Sequence, residues 1–198
     1  MRKVHGLFVA AALLVGSVSA FAADKAPVAA VAADLPLTGS IGFVGSKVTG
    51  SHEGRFKQWT GAVSLKDGKA VGGKLEFTVQ TASVEGDVGN RNAYTEKLEE
   101  HLKSPDFFDV AKFPTAVFKS TAIKAAATGV EITGNLTLHG VTKQLTFPAT
   151  VTVIGKDVTG KAEFSINRKD FGIAYAGKAD DLIREGVVLK INVTGKQP

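Results

Sequence analysis

The fold is decided by residues 130–154, VEITGNLTLHGVTKQLTFPATVTVI. Apolar and polar residues alternate on both sides of the central His139-Gly140 pair, and this alternation predicts two β-strands that each bury one face. A connection of two residues is far too short for a crossover helix, so the two strands must run antiparallel. Residues 130–154 therefore predict a β-hairpin with one face in a protein core.

Similar strand-like runs occur on both sides of this hairpin. KDGK at 66–69 separates two of the runs and carries the Asp-Gly signal of a tight hairpin turn. Most neighbouring runs are joined by short connections, which favour antiparallel pairing between consecutive strands. About eight strands follow one another, and they predict an all-β protein, an eight-stranded antiparallel up-and-down β-barrel. The other predicted strands are 41–48, 55–65, 75–79, 116–124, 158–167 and 186–193.

One segment interrupts the strand pattern. In residues 92–103 the apolar side chains of Tyr94, Leu98 and Leu102 are spaced four apart, with Glu and Lys between them. This spacing is typical of an amphipathic α-helix, and Ser104-Pro105 would end it. We therefore expect one helix inserted into the barrel.

An eight-stranded barrel has an interior that side chains can just fill, or that can hold one small ligand. The alternation cannot distinguish a filled interior from a hydrophobic tunnel. In either case the same set of apolar residues is expected to point inward, and these are the candidate ligand-binding residues: Phe43, Phe77, Val79, Phe118, Ile132, Leu136, Leu138, Leu145, Phe147, Phe164 and Ile166.

The N-terminus has the pattern of a secretory signal peptide. Arg2 and Lys3 precede an apolar run at 7–20, and Ala20-Phe21-Ala22 fits the small-x-small cleavage rule. The alternative, a retained membrane anchor, would need a longer apolar run of about 18 residues or more. We expect a signal peptide at 1–22, a flexible lead-in at 23–38, a barrel domain at 39–198, a periplasmic location and no stable membrane insertion.

Several function classes are disfavoured by the composition. The chain has no cysteine, so disulfides, cysteine–zinc sites and catalytic thiols are excluded. Its formal charge of +5 is modest and no stretch is densely basic, so we expect no nucleic-acid partner. His52, His101 and His139 have no metal-ligand spacing, and GKAVGGK at 68–74 precedes a strand, not the helix that a phosphate-binding loop requires.

No pattern of a nucleophile, base or metal set is present, so the expectation is a protein that is not an enzyme and has no cofactor. Asp180-Asp181 contains two neighbouring carboxylates, as a catalytic pair would, but adjacent residues on an extended chain point apart. We therefore interpret the pair as a solvated acidic loop.

Four longer motifs are more specific than any of these patterns. They are GSHEGRF at 50–56, LKSPDFFDVAKFP at 102–114, GNLTLHGVTK at 134–143 and INRKDFGI at 166–173. In their residues, order and spacing, from about residue 40 to 193, they resemble the YceI-like polyisoprenoid-binding family.

The resemblance implies a lipocalin-like eight-stranded barrel with a helical insertion and an elongated internal cavity. It also implies a ligand, a long-chain isoprenoid or related amphiphilic lipid such as a polyprenyl chain, an isoprenoid quinone or a fatty amide. Members are commonly secreted, and some are dimers, so a homodimer is one implied assembly. The alternative function is a structural or stress-related interaction module whose barrel is filled by side chains.

Two of the family motifs also allow a local interpretation. Phe107, Phe108 and Phe113 are expected to plug one end of the barrel, mainly as core packing. Arg168 completes the candidate ligand-binding set, because it could face a polar ligand head. Its alternative role, which the turn chemistry favours, is an ion pair with Asp170.

Overall fold

The computed structural model describes residues 34–198, and in them the lipocalin-like antiparallel barrel is confirmed. The predicted signal peptide and most of the predicted lead-in, at 1–33, lie outside this range. The elements of the described range are β1 (Leu35–Lys47), β2 (Ser51–Phe56), β3 (Trp59–Lys66), β4 (Lys69–Gln80), β5 (Val84–Glu85), α1 (Thr95–Lys103), β6 (Thr115–Ala125), β7 (Val130–Leu138), β8 (Val141–Ile154), β9 (Asp157–Asn167), β10 (Gly177–Lys178) and β11 (Asp181–Lys196).

The barrel closes because its first and last long strands pair with each other. β1 and β11 are antiparallel from Leu37 opposite Gly195 to Lys47 opposite Ile183. Around the wall the order is β1, β11, β9, β8, β7, β6, β4, β3 and back to β1. Pairing of this kind leaves no open edge along most of the wall, and it encloses the inward face of every strand.

Eleven strand segments in the described range make eight wall strands and one short addition, the two-residue β10, which pairs only with the start of β11. β2 and β3 form one wall strand that is interrupted at 57–58, and both of them pair with β1. The turn Thr81–Ser83 likewise separates β4 from β5, at the same height in the wall as the interruption at 57–58. The backbone N–H groups of Lys57 and Gln58 donate to Ser83, so the two interruptions are bonded to each other and bend the wall together.

The predicted boundary between lead-in and barrel at 38/39 is wrong. β1 begins at Leu35, because Leu35 and Leu37 bury their side chains in the core and the strand pairs with both β3 and β11. Pro36 makes this strand start hard to predict, because proline is uncommon within strands. It is tolerated near the first residue of a strand, which is where Pro36 lies. The last strand is also longer than expected, since β11 starts at Asp181 and not at 186.

The helix is confirmed but is shorter than predicted. α1 begins at Thr95, because Asn92 forms a turn in which its side-chain oxygen accepts from the backbone N–H of Tyr94. Tyr94 is 74% exposed and contributes nothing to the buried face, whereas Leu98 and Leu102 pack on Phe43 and Val84 at one end of the barrel. The described residues contain no helix with the length and hydropathy needed to cross a membrane.

Candidate functional site

Three cavities lie in series inside the barrel, and the inward residues of β11 give their order. Ile183 lines a cavity of about 290 Å³ next to α1, here called the mouth cavity. Leu189 lines a second cavity of about 70 Å³, the middle cavity, and Val193 lines a third of about 50 Å³, the deep cavity. Ile191 lies between them in the strand and lines both inner cavities. The same order is found on β1, where Phe43, Ile41 and Leu37 line the three cavities in turn.

The mouth cavity combines an apolar floor with a polar rim. Phe43, Leu98 and Leu102 contribute to the floor. On the rim, the His101 ring stands edge-on to Tyr175, with centroids 5.0 Å apart, and its Nε2 lies 2.8 Å from a carboxylate oxygen of Asp106. Other rim residues are Lys47, His52, Lys178 and Asp181. An amphiphile bound here would find hydrogen-bonding groups at its head and apolar groups at its tail.

Asp181 ties two rim loops together. Its carboxylate pairs with the Lys47 ammonium and accepts from the Thr49 backbone N–H at 3.1 Å and from Thr49 Oγ1 at 3.0 Å. The Lys47 contact, helped by Thr49, holds the pKa of Asp181 below its usual value, and desolvation opposes this effect. The prediction of a solvated acidic loop is therefore wrong for Asp181. Asp181 is the first residue of β11, and its contacts hold the Lys47–Thr49 segment in place at the rim.

This arrangement predicts a loss of stability in acid. A carboxyl whose pKa is lowered by folding stabilises the fold fully above its unfolded pKa, about 3.9 for aspartate, and the contribution disappears as the pH falls through the native pKa. Glu85 beside Arg55 and Glu99 beside Arg91 are shifted in the same direction. We expect chemical unfolding measured from pH 7 to 2 to show Asp181→Asn losing less stability on acidification than wild type. Asp180→Asn at the exposed neighbour is the control, and equal pH profiles for all three proteins would contradict the prediction.

An aromatic cluster lies between the mouth cavity, which Phe43 lines, and Leu189 of the middle cavity. Phe43, Phe56 and Phe108 contact one another with ring centroids 5.5 to 6.1 Å apart. Phe108 comes from the loop after α1, and with Phe107 on the mouth cavity it confirms that this motif packs at one end of the barrel. Phe113 lies at the same end of the barrel, where its ring packs on the His139 ring in the turn between β7 and β8, with centroids 4.6 Å apart.

A second aromatic partition separates the middle cavity from the deep cavity. Phe77 and Phe147 line both cavities and are almost fully buried. Phe147 on β8 stacks on Phe164 of β9, with ring centroids 4.0 Å apart and an angle of 6° between the planes. The ladder pairs between β8 and β9 run only from Thr150 to Ile154 on the β8 side, so this stack lies just beyond the end of the ladder.

Glycines on neighbouring strands provide space for two of these rings. A Cβ at Gly61 would lie 2.6 Å from Cδ1 of Phe77, its cross-strand partner. A Cβ at Gly134 would overlap the Phe118 ring and lie 2.6 Å from the carbonyl oxygen of Lys119. Distances this short are not tolerated, so the rings can lie flat over the strand only because glycine is there. Each ring therefore lies directly against the strand that carries the glycine.

Arg168 has a role that neither interpretation of the sequence predicted. Its guanidinium is buried and donates to three backbone carbonyls, those of Ile173 at 2.6 Å, Arg184 at 3.0 Å and Ile183 at 3.2 Å. The predicted Arg168–Asp170 ion pair is wrong, and Arg168 is not among the residues that line the three cavities. Burial lowers the pKa of Arg168, because desolvation disfavours the charged form, and the nearby Glu185 carboxylate opposes this effect.

The structure brings most of the candidate residues together around the lumen. Phe43 lines the mouth cavity, Ile132 lines the deep cavity, and Phe77 and Phe147 line both inner cavities. Leu138, Ile166 and Arg168 line none of the three. Ligand contact by the others stays a prediction. The candidates that line only the middle cavity are Val79, Phe118, Leu136, Leu145 and Phe164.

Sequence reasoning missed two groups of lining residues. Leu37, Ile41, Leu189 and Ile191 alternate along β1 and β11, and this period-two pattern was available in the sequence. His101 and Tyr175, in contrast, come from α1 and from the loop before β10, far apart in the chain. No local pattern could have placed them at one rim.

Comparison with known sequences is consistent with this architecture. The profile of the YceI-like domain matches residues 35–195. A UPF0312 protein of Pseudomonas fluorescens (strain SBW25) is 38% identical over 149 residues, which cover 69% of this chain and 74% of the relative. A UPF0312 protein of Pseudomonas aeruginosa (strain LESB58) is 38% identical over 126 residues, covering 61% and 62% of the two chains.

Solved structures share the same fold. BcnA of Burkholderia cenocepacia aligns with a TM-score of 0.67 at 25% identity, covering 79% of this chain and 96% of BcnA. The YCEI protein of Campylobacter jejuni aligns with a TM-score of 0.56 at 24% identity, covering 73% and 84%, and shows the fold alone. Because the family profile spans the whole described barrel and the relatives agree over most of their length, the chain belongs to the YceI-like domain family.

Proposed function

We propose that this protein is a periplasmic binding protein that carries or stores a long-chain isoprenoid-type amphiphile in its barrel. The observation that carries the proposal is the series of three cavities, in which polar side chains gather at the mouth while the inner two are lined mainly by apolar ones. Such a gradient matches a molecule with one polar end and a long apolar tail. The proposal includes no catalytic step, no cofactor and no nucleic-acid partner.

The energetics of such binding favour selection by length. Each CH₂ removed from water contributes about 0.8 kcal/mol, so one five-carbon isoprene unit contributes several kcal/mol before ordering costs. Affinity saturates near −18 to −21 kcal/mol, roughly, which means that ever longer tails cannot keep adding affinity. Discrimination must then come from the depth of the lumen and from the few polar groups at the rim.

A ligand with a long tail requires the inner barrel to rearrange. The middle and deep cavities hold about 70 and 50 Å³, whereas one water occupies about 30 Å³ of liquid. Drug-sized ligands occupy sites of about 300 to 1,000 Å³. In this proposal the head and first carbons occupy the mouth cavity, and the tail advances into the middle cavity by displacing the rings of Phe43, Phe56 and Phe108.

The same small volumes favour a second candidate, a barrel whose side chains fill the interior and whose function resides on its surface. This structural or stress-related module would take up no lipid. Binding by a single barrel is sufficient for the main proposal, and the homodimer implied by the resemblance is compatible with it.

Purification from the native periplasm distinguishes the two candidates. We expect the mature protein to yield a stoichiometric polyprenyl or isoprenoid-quinone species on organic extraction and mass spectrometry, and cell fractionation to place the protein in the periplasm. The matched control is Ala116→Phe, which fills the middle cavity and should carry no such lipid. A wild-type protein that is free of lipid, and that takes up none when polyprenyl lipids are offered, would contradict the proposal and favour the filled barrel.

A further inference from the structure

We propose that Phe147 is the residue that sets the length of apolar tail that the barrel accepts. This inference rests on the proposed function and deepens it. The ring of Phe147, together with Phe77 and Ile191, forms the wall between the middle and deep cavities. A tail that enters from the mouth reaches this wall after passing the middle cavity, so its terminal carbons stop there while the ring stays in place.

Phe147 is the adjustable half of this wall. Phe77 is fixed by its position over Gly61 and by an edge contact with Trp59, with ring centroids 6.0 Å apart. Phe147 is held by other aromatic rings, stacked on Phe164 and tilted against Phe118 at 5.5 Å. It also lies next to the part of β8 where the ladder to β9 has ended. Its ring can therefore turn at the cost of side-chain contacts alone.

The chemistry of the deep cavity makes it a continuation for a tail and not a second head site. Its lining includes the apolar side chains of Leu37, Ala70, Val151 and Val193. An added apolar group is stabilised there by burial, whereas a polar head would lose its hydrogen bonds to water. Opening the wall should thus lengthen the accepted tail without changing the head that is recognised.

The test is a titration series with prenyl alcohols of increasing length: geraniol, farnesol, geranylgeraniol and solanesol. For wild type we expect affinity to rise with each isoprene unit and then to reach a plateau. In Phe147→Ala the middle and deep cavities are joined, so the plateau should move to the next longer alcohol, with at least a tenfold gain for that alcohol. A tenfold gain corresponds to about 1.4 kcal/mol, well below the burial of five carbons.

Three further variants separate length selection from a simple gain of space. Leu136→Ala also enlarges the lumen but lines only the middle cavity, so its plateau should stay at the wild-type length. Adding Ala70→Leu to Phe147→Ala refills the deep cavity and should restore the wild-type plateau. Phe147→Leu opens the wall less and is used for the same measurement if the alanine variant does not fold.

The outcomes distinguish this inference from the function beneath it. If prenyl alcohols bind and the plateau of the folded Phe147 variants is unchanged, the length role of Phe147 is overturned while the proposed function stands. If neither wild type nor any variant binds a prenyl alcohol, both the proposed function and this inference are overturned.

Discussion

Replacing Arg168 with alanine is expected to lower the free energy of unfolding by about 4 kcal/mol. Each hydrogen bond from a charged donor is worth about 1.5–3 kcal/mol, and a carbonyl left buried without a partner costs about 1–3 kcal/mol. The three carbonyls that Arg168 serves belong to Ile173, Ile183 and Arg184, on two segments that meet at the mouth of the barrel. Ile183 also lines the mouth cavity, so we expect weaker ligand binding besides lower stability.

Urea unfolding followed by circular dichroism measures this effect. Lys169→Ala is the matched control, because Lys169 is the next basic residue in the same turn but forms an exposed ion pair with Glu185. Exposed pairs of this kind contribute about 0–1 kcal/mol. Arg168→Lys should fall between them, since one ammonium cannot reach three carbonyls in the fork geometry of a guanidinium. Equal stability of Arg168→Ala and Lys169→Ala would show that the carbonyls find other partners.

Replacing Gly134 with alanine is expected to destabilise the barrel by about 2–3 kcal/mol and to abolish lipid uptake. The added Cβ overlaps the Phe118 ring and the carbonyl oxygen of Lys119, and overpacking of a core typically costs about 1–3 kcal/mol. The ring can escape only toward the axis, where the middle cavity lies. Loss of binding should therefore exceed what the loss of stability explains.

Two controls for Gly134→Ala separate the effect of adding a Cβ to a strand glycine from the effect of the clash with the Phe118 ring. Gly186→Ala adds a Cβ to another strand glycine that has no atom within 4 Å, so it should leave stability and binding unchanged. Phe118→Leu in the Gly134→Ala background removes the clashing ring and should recover part of both. Thermal unfolding and titration with farnesol measure the two effects. Normal uptake by a folded Gly134→Ala protein would contradict the assignment of this glycine as the support of the Phe118 ring.

How far the site could be predicted depends on the kind of residue. Phe77, Phe147 and Ile132 were predicted to point inward from alternation alone, and the structure places all three on inner cavities. Leu138 and Ile166 follow the same alternation but line none of the three cavities, because they lie near the strand ends, where the mouth loops cover the barrel. Alternation with a period of two shows on which face of the strand a side chain lies. It does not show at what height along the barrel axis that side chain lies.

Residues outside the strand pattern were the least predictable. Arg168 was interpreted as half of an ion pair with Asp170, since charge complementarity is visible in a sequence. Its actual partners are three carbonyl groups, and backbone acceptors have no sequence signature. Asp181 was predicted to be solvated, and Lys47, its partner from the other end of the chain, becomes a neighbour only when β1 pairs with β11.

The sequence by itself determined the strand pattern, the antiparallel order and the apolar character of the interior, because these follow from side-chain alternation and from the length of the turns. Only the tertiary structure decided that the interior is divided into three cavities. That division depends on which glycine lies beside which ring, and on where two aromatic partitions cross the axis. Both are set by the register between strands that are distant in the chain, and a pattern read along one strand carries no information about them.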